Sequence, residues 1–203
     1  PILRTRVSFE VGINNLSGRP LYMSASEVQL GKREAVRDVA RIVAGYLDGI
    51  IIRTFGHDTL EEFARHSSVP VINGLTDRYH PAQVLSDCYT ILKHKKTFDG
   101  RKIVYIGDGN NVCNSLIRGV SILGGSLTVG CPQGYDPTVE GAVEVVHDPA
   151  EAVRDADVLY TDVWTSMGAE AEAEERRRNF SAFQLNEALL RNARPDAIVM
   201  HCL

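Results

Sequence analysis

No apolar stretch in this 203-residue chain approaches the roughly 20 residues that a bilayer-spanning helix needs. The most hydrophobic run, around Gly49 to Ile52, has the length of a buried strand. Cysteine is scarce: Cys88, Cys113, Cys131 and Cys202 lie far apart, without CxxC spacing. That argues against a disulfide framework and for reduced thiols in a cytoplasmic protein. The six histidines do not cluster along the chain either, which argues against a zinc centre. Positive charge is not in excess. With 22 Lys and Arg against 26 Asp and Glu, the formal net charge is -4, and a nucleic-acid-binding face has no compositional support. The opening residues lack the charged-then-apolar pattern of a signal peptide, and no low-complexity segment or short-period repeat is present.

What is there suits a globular protein with room for one large or two compact domains: 44% of residues are hydrophobic and 24% charged. Short apolar strands alternate with amphipathic helices almost throughout. Residues 5–17 predict a helix with Phe9, Ile13 and Leu16 on one face and Gly18 ending it. A strand at Leu21–Ser24, a polar loop from Ser26 to Arg33 and a helix over Glu34–Leu47 follow. Next come a strand at Ile50–Arg53, a helix opened by the capping-box pair Asp58 and Glu61 and ending near His66, and a strand at Val69–Ile72. Pro81 fits the first turn of a helix that runs to about His94.

The polar stretch Lys93–Arg101 marks an expected domain boundary, giving domains 1–97 and 98–203. Beyond it the pattern restarts with strands at Ile103–Ile106, Leu127–Val129, Val143–Val146, Val158–Thr161 and Ala197–His201. Helices are expected at Asn111–Leu123, after the Asp148 cap, from Glu170 to Arg178 and at Leu185–Asn192. Such alternation predicts an α/β protein of two doubly wound domains, each a parallel sheet flanked by helices.

In such sheets ligands bind beyond the carboxyl ends of the strands, and several unusual polar clusters fall there. Arg4-Thr5-Arg6 opens a helix, where free N–H groups and an arginine fork favour an anion. A solvated basic turn is the bland alternative. His80-Pro81-Ala82-Gln83 puts an imidazole and an amide within one turn, able to polarise a carbonyl oxygen, or it is an ordinary helix start. Gly107-Asp108-Gly109-Asn110-Asn111 invites a dinucleotide reading, but Val112 occupies the place of the third glycine of GxGxxG. The next strand also lacks a ribose-binding acid, ending at Gly130-Cys131. Two amides facing a small polar ligand, or plain turn chemistry, fit better. Asp162 to Gly168 offers a strand-terminal carboxylate for an ammonium group, or a loop anchored by Trp164. In His201-Cys202-Leu203, the first two side chains point apart while the strand is regular, and Cys202 can equally be an apolar filler.

Six segments in this order resemble the ornithine carbamoyltransferase family: RTRVSFEVG (4–12), SEVQLG (26–31), INGLTDRYHPAQVLSD (72–87), VYIGDGNN (104–111), TDVWTSMG (161–168) and MHCL (200–203). The resemblance implies an enzyme that moves the carbamoyl group of carbamoyl phosphate onto the side-chain amine of ornithine, giving citrulline and phosphate. It implies a carbamoyl phosphate-binding domain over 1–97 and an ornithine-binding domain over 98–203, with no cofactor and no metal. Arg4, Thr5 and Arg53 would hold the phosphate; His80 and Gln83, with Arg53, would address the carbamoyl oxygen. Asn111, Asp162, Ser166 and Met167 would hold ornithine. Cys202 and Leu203 would lie at the reacting carbon and amine, making Arg53, His80 and Cys202 the expected catalytic residues. Gln29 would reach a neighbouring subunit's site in a homotrimer or a multiple of trimers. A role in arginine biosynthesis in the cytoplasm is the matching expectation. Related enzymes acting on putrescine, acylated ornithine or aspartate are the nearest rivals, and a catalytically silent homologue or a nicotinamide dehydrogenase the more distant ones.

The chain departs from the family pattern in places. Both ends read as cut, with the N-terminal part of the first domain and the C-terminal end of the second expected to be missing. The stretch from Tyr135 to Val143 reads as shorter than the family's. Ile2 stands where the phosphate loop carries a serine, and losing one charge-assisted hydrogen bond costs about 1.5–3 kcal/mol of binding. Residues 1–203 alone are therefore expected to form citrulline weakly or not at all; normal turnover in a citrulline assay would contradict this.

Overall fold

The computed structural model describes residues 3–139, 141, 143–165 and 170–202. By its internal contacts the chain divides into two compact units, Pro1–Gly74 and Leu75–Leu203.

In the first unit, helix α1 (Leu3–Asn15) begins two residues ahead of its expected start. Ser17, at φ 64°, takes the left-handed turn expected of Gly18. The N–H of Gly18 then closes back onto the Ile13 carbonyl at 2.9 Å. The strand expected at Leu21–Ser24 is not formed, and Ser24 instead caps a short helix, α2 (Ala25–Val28). Its capping box is complete: the Ser24 hydroxyl accepts from the Glu27 N–H, and the Glu27 carboxylate accepts from the Ser24 N–H at 2.7 Å. Ser24 thus commits its backbone and hydroxyl to local bonds and not to a sheet ladder.

Helix α3 (Val36–Ala44) and helix α4 (His57–His66) pack together over strands β1 (Ile50–Arg53) and β2 (Val71–Leu75). The buried cluster is Val36, Ala40 and Phe63, with Ile50, Ile52 and Val71 against it. Gly56, not Asp58, caps α4, so Asp58 lies inside the first turn. There its charge still favours the helix dipole.

The second unit is a five-stranded parallel sheet. Its strands are β3 (Lys102–Ile106), β4 (Ser126–Gly130), β5 (Val143–Val146), β6 (Val158–Thr161) and β7 (Ile198–His201). They lie in the order β5-β4-β3-β6-β7. The chain thus builds outward from β3 in one direction, then returns to build outward from it in the other.

Residues along β3 alternate between two cores, as successive strand residues must. Ile103 and Tyr105 join helix α5 (Pro81–Lys95) and helix α6 (Asn111–Ile122) in one. Val104 and Ile106 face α7 (Pro149–Ala152), Phe180 and Phe183, and α9 (Glu187–Leu190) in the other. Between these last two helices, a 3-10 turn (Glu170–Glu172) precedes α8 (Ala173–Asn179). Asp148 caps α7 with Pro149 at its first position, as the sequence indicated. No helix among the described residues is long and apolar enough to cross a membrane.

At the amino end of the sheet, Asp157 is 1% exposed. It accepts from the Arg101 guanidinium at 2.9 Å and the Lys102 N–H at 3.0 Å, with Arg194 at 3.7 Å. Asp157→Ala removes these bonds from partners that water can still reach in part, so unfolding in urea is expected to show a loss of about 2–3 kcal/mol. A loss under about 0.5 kcal/mol, the range of ordinary surface substitutions, would show the anchor to be unimportant.

Candidate functional site

The strand order reverses between β3 and β6, and the crevice beyond their carboxyl ends is where open parallel sheets bind ligands. Two polar segments meet there. The turn after β3 ends at Asn110, whose side-chain oxygen accepts from the N–H groups of Val112 and Cys113 and so caps α6. Its amide nitrogen donates to the Asp162 carboxylate, at the tip of β6, across 2.8 Å. The other Asp162 oxygen accepts from the Val163 N–H at 2.6 Å. Asp162 is half-buried, so donors fix its direction while solvent or a ligand still reaches it. Asn111, the amide expected to bind ligand, donates to the Thr76 carbonyl at 2.6 Å and ties the segment before α5 to the start of α6. The Ser115 hydroxyl, 2.7 Å from the His80 N–H, reinforces that tie.

A chain of side chains runs on from Asp162. Gln83 donates to Asp87 at 3.0 Å, and the Tyr160 hydroxyl donates to the other Asp87 oxygen at 2.9 Å. Burial raises the Asp87 carboxyl above its ordinary range, the two hydrogen bonds oppose that, and the Asp162 charge adds to it. Cys202 lies in the same network. Burial, then the adjacent Asp162 carboxylate, pushes its thiol up, so it is a neutral S–H and a poor nucleophile.

The strand ends at His201, so the regular alternation that would separate His201 from Cys202 stops there. Donor atoms of Asp162, His201 and Cys202 all come within 4.8 Å of one another. The expectation that the last two point apart is thus corrected. Asp87 and Tyr160 were not singled out in the sequence, although signals existed. Asp87 is one helical turn from Gln83, and Tyr160 is two residues from Asp162, on the same strand face.

In the first unit, Arg53 at the tip of β1 donates to the Thr5 hydroxyl on α1 at 2.8 Å. Its guanidinium is partly desolvated, which lowers its pKa without threatening its charge. Arg4, next to Thr5 in sequence, is exposed at the start of α1. Gln29 is the left-handed C-cap of α2, its amide donating to the Ser26 carbonyl at 3.3 Å. The expected site residues Ser166, Met167 and Leu203, and the departure at Ile2, lie outside the described residues.

Two family profiles cover nearly the whole chain. The aspartate/ornithine carbamoyltransferase carbamoyl-P binding domain matches residues 1–93, and the Asp/Orn binding domain of the same family matches residues 99–203. The chain belongs to the aspartate/ornithine carbamoyltransferase family. It is 53% identical to the ornithine carbamoyltransferase of Syntrophus aciditrophicus over 98% of this chain and 70% of that protein. It is 50% identical to that of Thermococcus kodakarensis over 100% of this chain and 69% of that protein. Its fold superposes on the ornithine carbamoyltransferase of Pyrococcus furiosus with a TM-score of 0.95 at 47% identity, covering all of this chain and 69% of that one. For the Thermus thermophilus enzyme the TM-score is 0.91 at 41% identity, with the same coverages. The family is one of transferases, and a nicotinamide dehydrogenase gains nothing from these matches.

One ion pair secures the site from behind. Arg176 on α8 donates to Asp108, in the turn after β3, at 2.6 Å and to the Trp164 carbonyl at 3.2 Å; both charged side chains are only 14% exposed. Burial raises the Asp108 carboxyl, and Arg176 offsets part of that rise. Arg176→Met leaves a buried carboxylate without its cation, so a loss of about 3 kcal/mol is expected near neutral pH. A raised carboxyl pKa makes this loss largest above the folded value and relieves it as pH falls towards the ordinary 3.8. Urea unfolding of the variant at several pH values measures it; a loss that grows on acidification would refute the assignment.

Proposed function

We propose that this protein transfers the carbamoyl group of carbamoyl phosphate to the side-chain amine of L-ornithine, giving L-citrulline and phosphate. The observation that carries the proposal is Asp162 at the sheet's switch point. A carboxylate oriented by Asn110 and by the main chain, in a wall that also holds Asp87 and neutral Cys202, suits a substrate with two ammonium groups. An aspartate-binding pocket would need cations in that place.

On this reading Arg4, Thr5 and Arg53 take the phosphate, the guanidinium fork matching its oxygens. His80 and Gln83, with Arg53, donate to the carbamoyl oxygen and stabilise the charge that grows on it as the amine attacks. Asn111, Asp162, Ser166 and Met167 hold ornithine. Cys202 and Leu203 line the reacting carbon and amine, Cys202 as a neutral thiol and not as a covalent nucleophile. Residues 1–97 serve carbamoyl phosphate and 98–203 serve ornithine, in agreement with the binding-domain names of the matched profiles. Gln29 contributes to a neighbouring subunit's site in a homotrimer or a multiple of trimers, and the enzyme serves arginine biosynthesis in the cytoplasm.

Purified protein given carbamoyl phosphate and, in turn, ornithine, putrescine, acylated ornithine and aspartate is expected to release phosphate only with ornithine, at the low rate expected of residues 1–203. Asp162→Asn keeps the shape and removes the charge. Its kcat/KM for ornithine is expected to fall about 10- to 100-fold, equivalent to one charge-assisted contact. Equal turnover of aspartate and ornithine, or an unaffected Asp162→Asn variant, would overturn the assignment.

A further inference from the structure

We propose that Cys131, Asp136 and His147 form a second, separate site, which binds one divalent transition-metal ion of the zinc type. Cys131 follows β4, His147 follows β5, and Asp136 lies in the turn between those strands. One donor atom from each lies within 4.8 Å of the others. Sγ of Cys131 is 4.0 Å from a carboxylate oxygen of Asp136, and Nε2 of His147 is 3.7 Å from the same oxygen. The first is a long thiol-to-carboxylate hydrogen bond and the second a loose ion pair when the ring is protonated, so all three side chains already converge on one carboxylate oxygen.

Bond lengths of about 2.3 Å to sulfur and about 2.0 Å to nitrogen and oxygen set the donor separations of a tetrahedral ion. They place the donors on the order of 3.3–3.6 Å apart, so the two separations to Asp136 need close by only about half an ångström, and Cys131 and His147, within 4.8 Å of each other, draw together around the ion.

The ring of His147 supplies an independent observation. Its Nδ1 lies 2.9 Å from the main-chain carbonyl of Cys131. Donation from Nδ1–H to that carbonyl fixes the tautomer that leaves the Nε2 lone pair facing Asp136. A histidine that ligates a metal is held in this way, by a carbonyl or carboxylate on its far nitrogen.

Both strand tips are rigid. β4 and β5 are paired in register, and the N–H of Cys131 donates to the Val146 carbonyl at 3.2 Å. The turn is fixed as well: the Gly109 N–H donates to the Tyr135 carbonyl at 2.9 Å. A Cβ on Gly109 would collide with the backbone of Asp136 and Pro137. Cys131 is buried, whereas the side chains of Asp136 and His147 are 47% and 39% exposed. Solvent therefore reaches the outer side, where a water completes the coordination. A thiolate with an imidazole and one carboxylate selects zinc, cobalt or nickel over magnesium or calcium. The ion pins the turn at 132–137 to the two strand tips, beside Gly109 and Asn110.

The test is cobalt(II) and zinc(II) titration of the purified protein, with Asp162, His201 and Cys202 as a competing donor set to be separated. The parent is expected to give a thiolate-to-cobalt absorption band that zinc displaces, and zinc is expected to raise its melting temperature. Cys202→Ala keeps both signals. Cys131→Ala loses the band, and His147→Asn, a change at a half-exposed ring that spares the core, weakens cobalt affinity at least 10-fold. A band that survives Cys131→Ala and disappears in Cys202→Ala would assign the metal elsewhere. No band in the folded parent, or unchanged affinity in His147→Asn, would end the proposal.

Discussion

One amide side chain ties together the segments that leave the two halves of the parallel sheet. Asn110 accepts two main-chain N–H groups at the start of α6 and donates to Asp162 at the end of β6. An amide does both, because it carries an acceptor and a donor on one rigid plane. An aspartate there would cap the helix but repel Asp162, and an alanine would lose both bonds. The ladder pairs β3 with β6 as far as Ile106 and Thr161; beyond it the strand-order reversal sends the two chains to opposite sides, and the Asn110–Asp162 contact extends the join past the strand ends.

Around that contact the protein gathers acids that it must keep supplied with donors. Asp87 is held by Gln83 and Tyr160, Asp108 by Arg176, and Asp162 by Asn110 and Val163. Burial raises the first two carboxyls and the Cys202 thiol, so the wall resists further negative charge and welcomes positive charge. The first unit holds the contrasting charge. There Arg53 is oriented by Thr5 and stays cationic despite partial burial.

The same carboxyl edge of the sheet carries the soft donors as well. Cys131 and His147 directly follow β4 and β5, one and two strands from β3, and the turn that brings Asp136 to them rests on Gly109. A parallel sheet sends every strand's carboxyl end to one side, so the two donor clusters share one edge, a strand or two apart.

The amino-acid order alone determined the α/β class, the limits of β1, β5 and β6, and the Pro149 and Pro81 helix starts, because these rest on local hydrophobic runs and fixed proline geometry. It also marked Arg53, His80, Gln83, Asn111 and Asp162 as strand-tip or helix-start residues. It misjudged Leu21–Ser24, where a capping box took the place of a strand. Only the tertiary structure decided that Asn110 meets Asp162 fifty-two residues away, that Tyr160 reaches Asp87, and that Cys131, Asp136 and His147 converge. Those pairs are set by strand order and register, which local pattern does not encode. A period-two strand shows which face a side chain takes, but which strand lies beside it is settled by packing over the whole sheet.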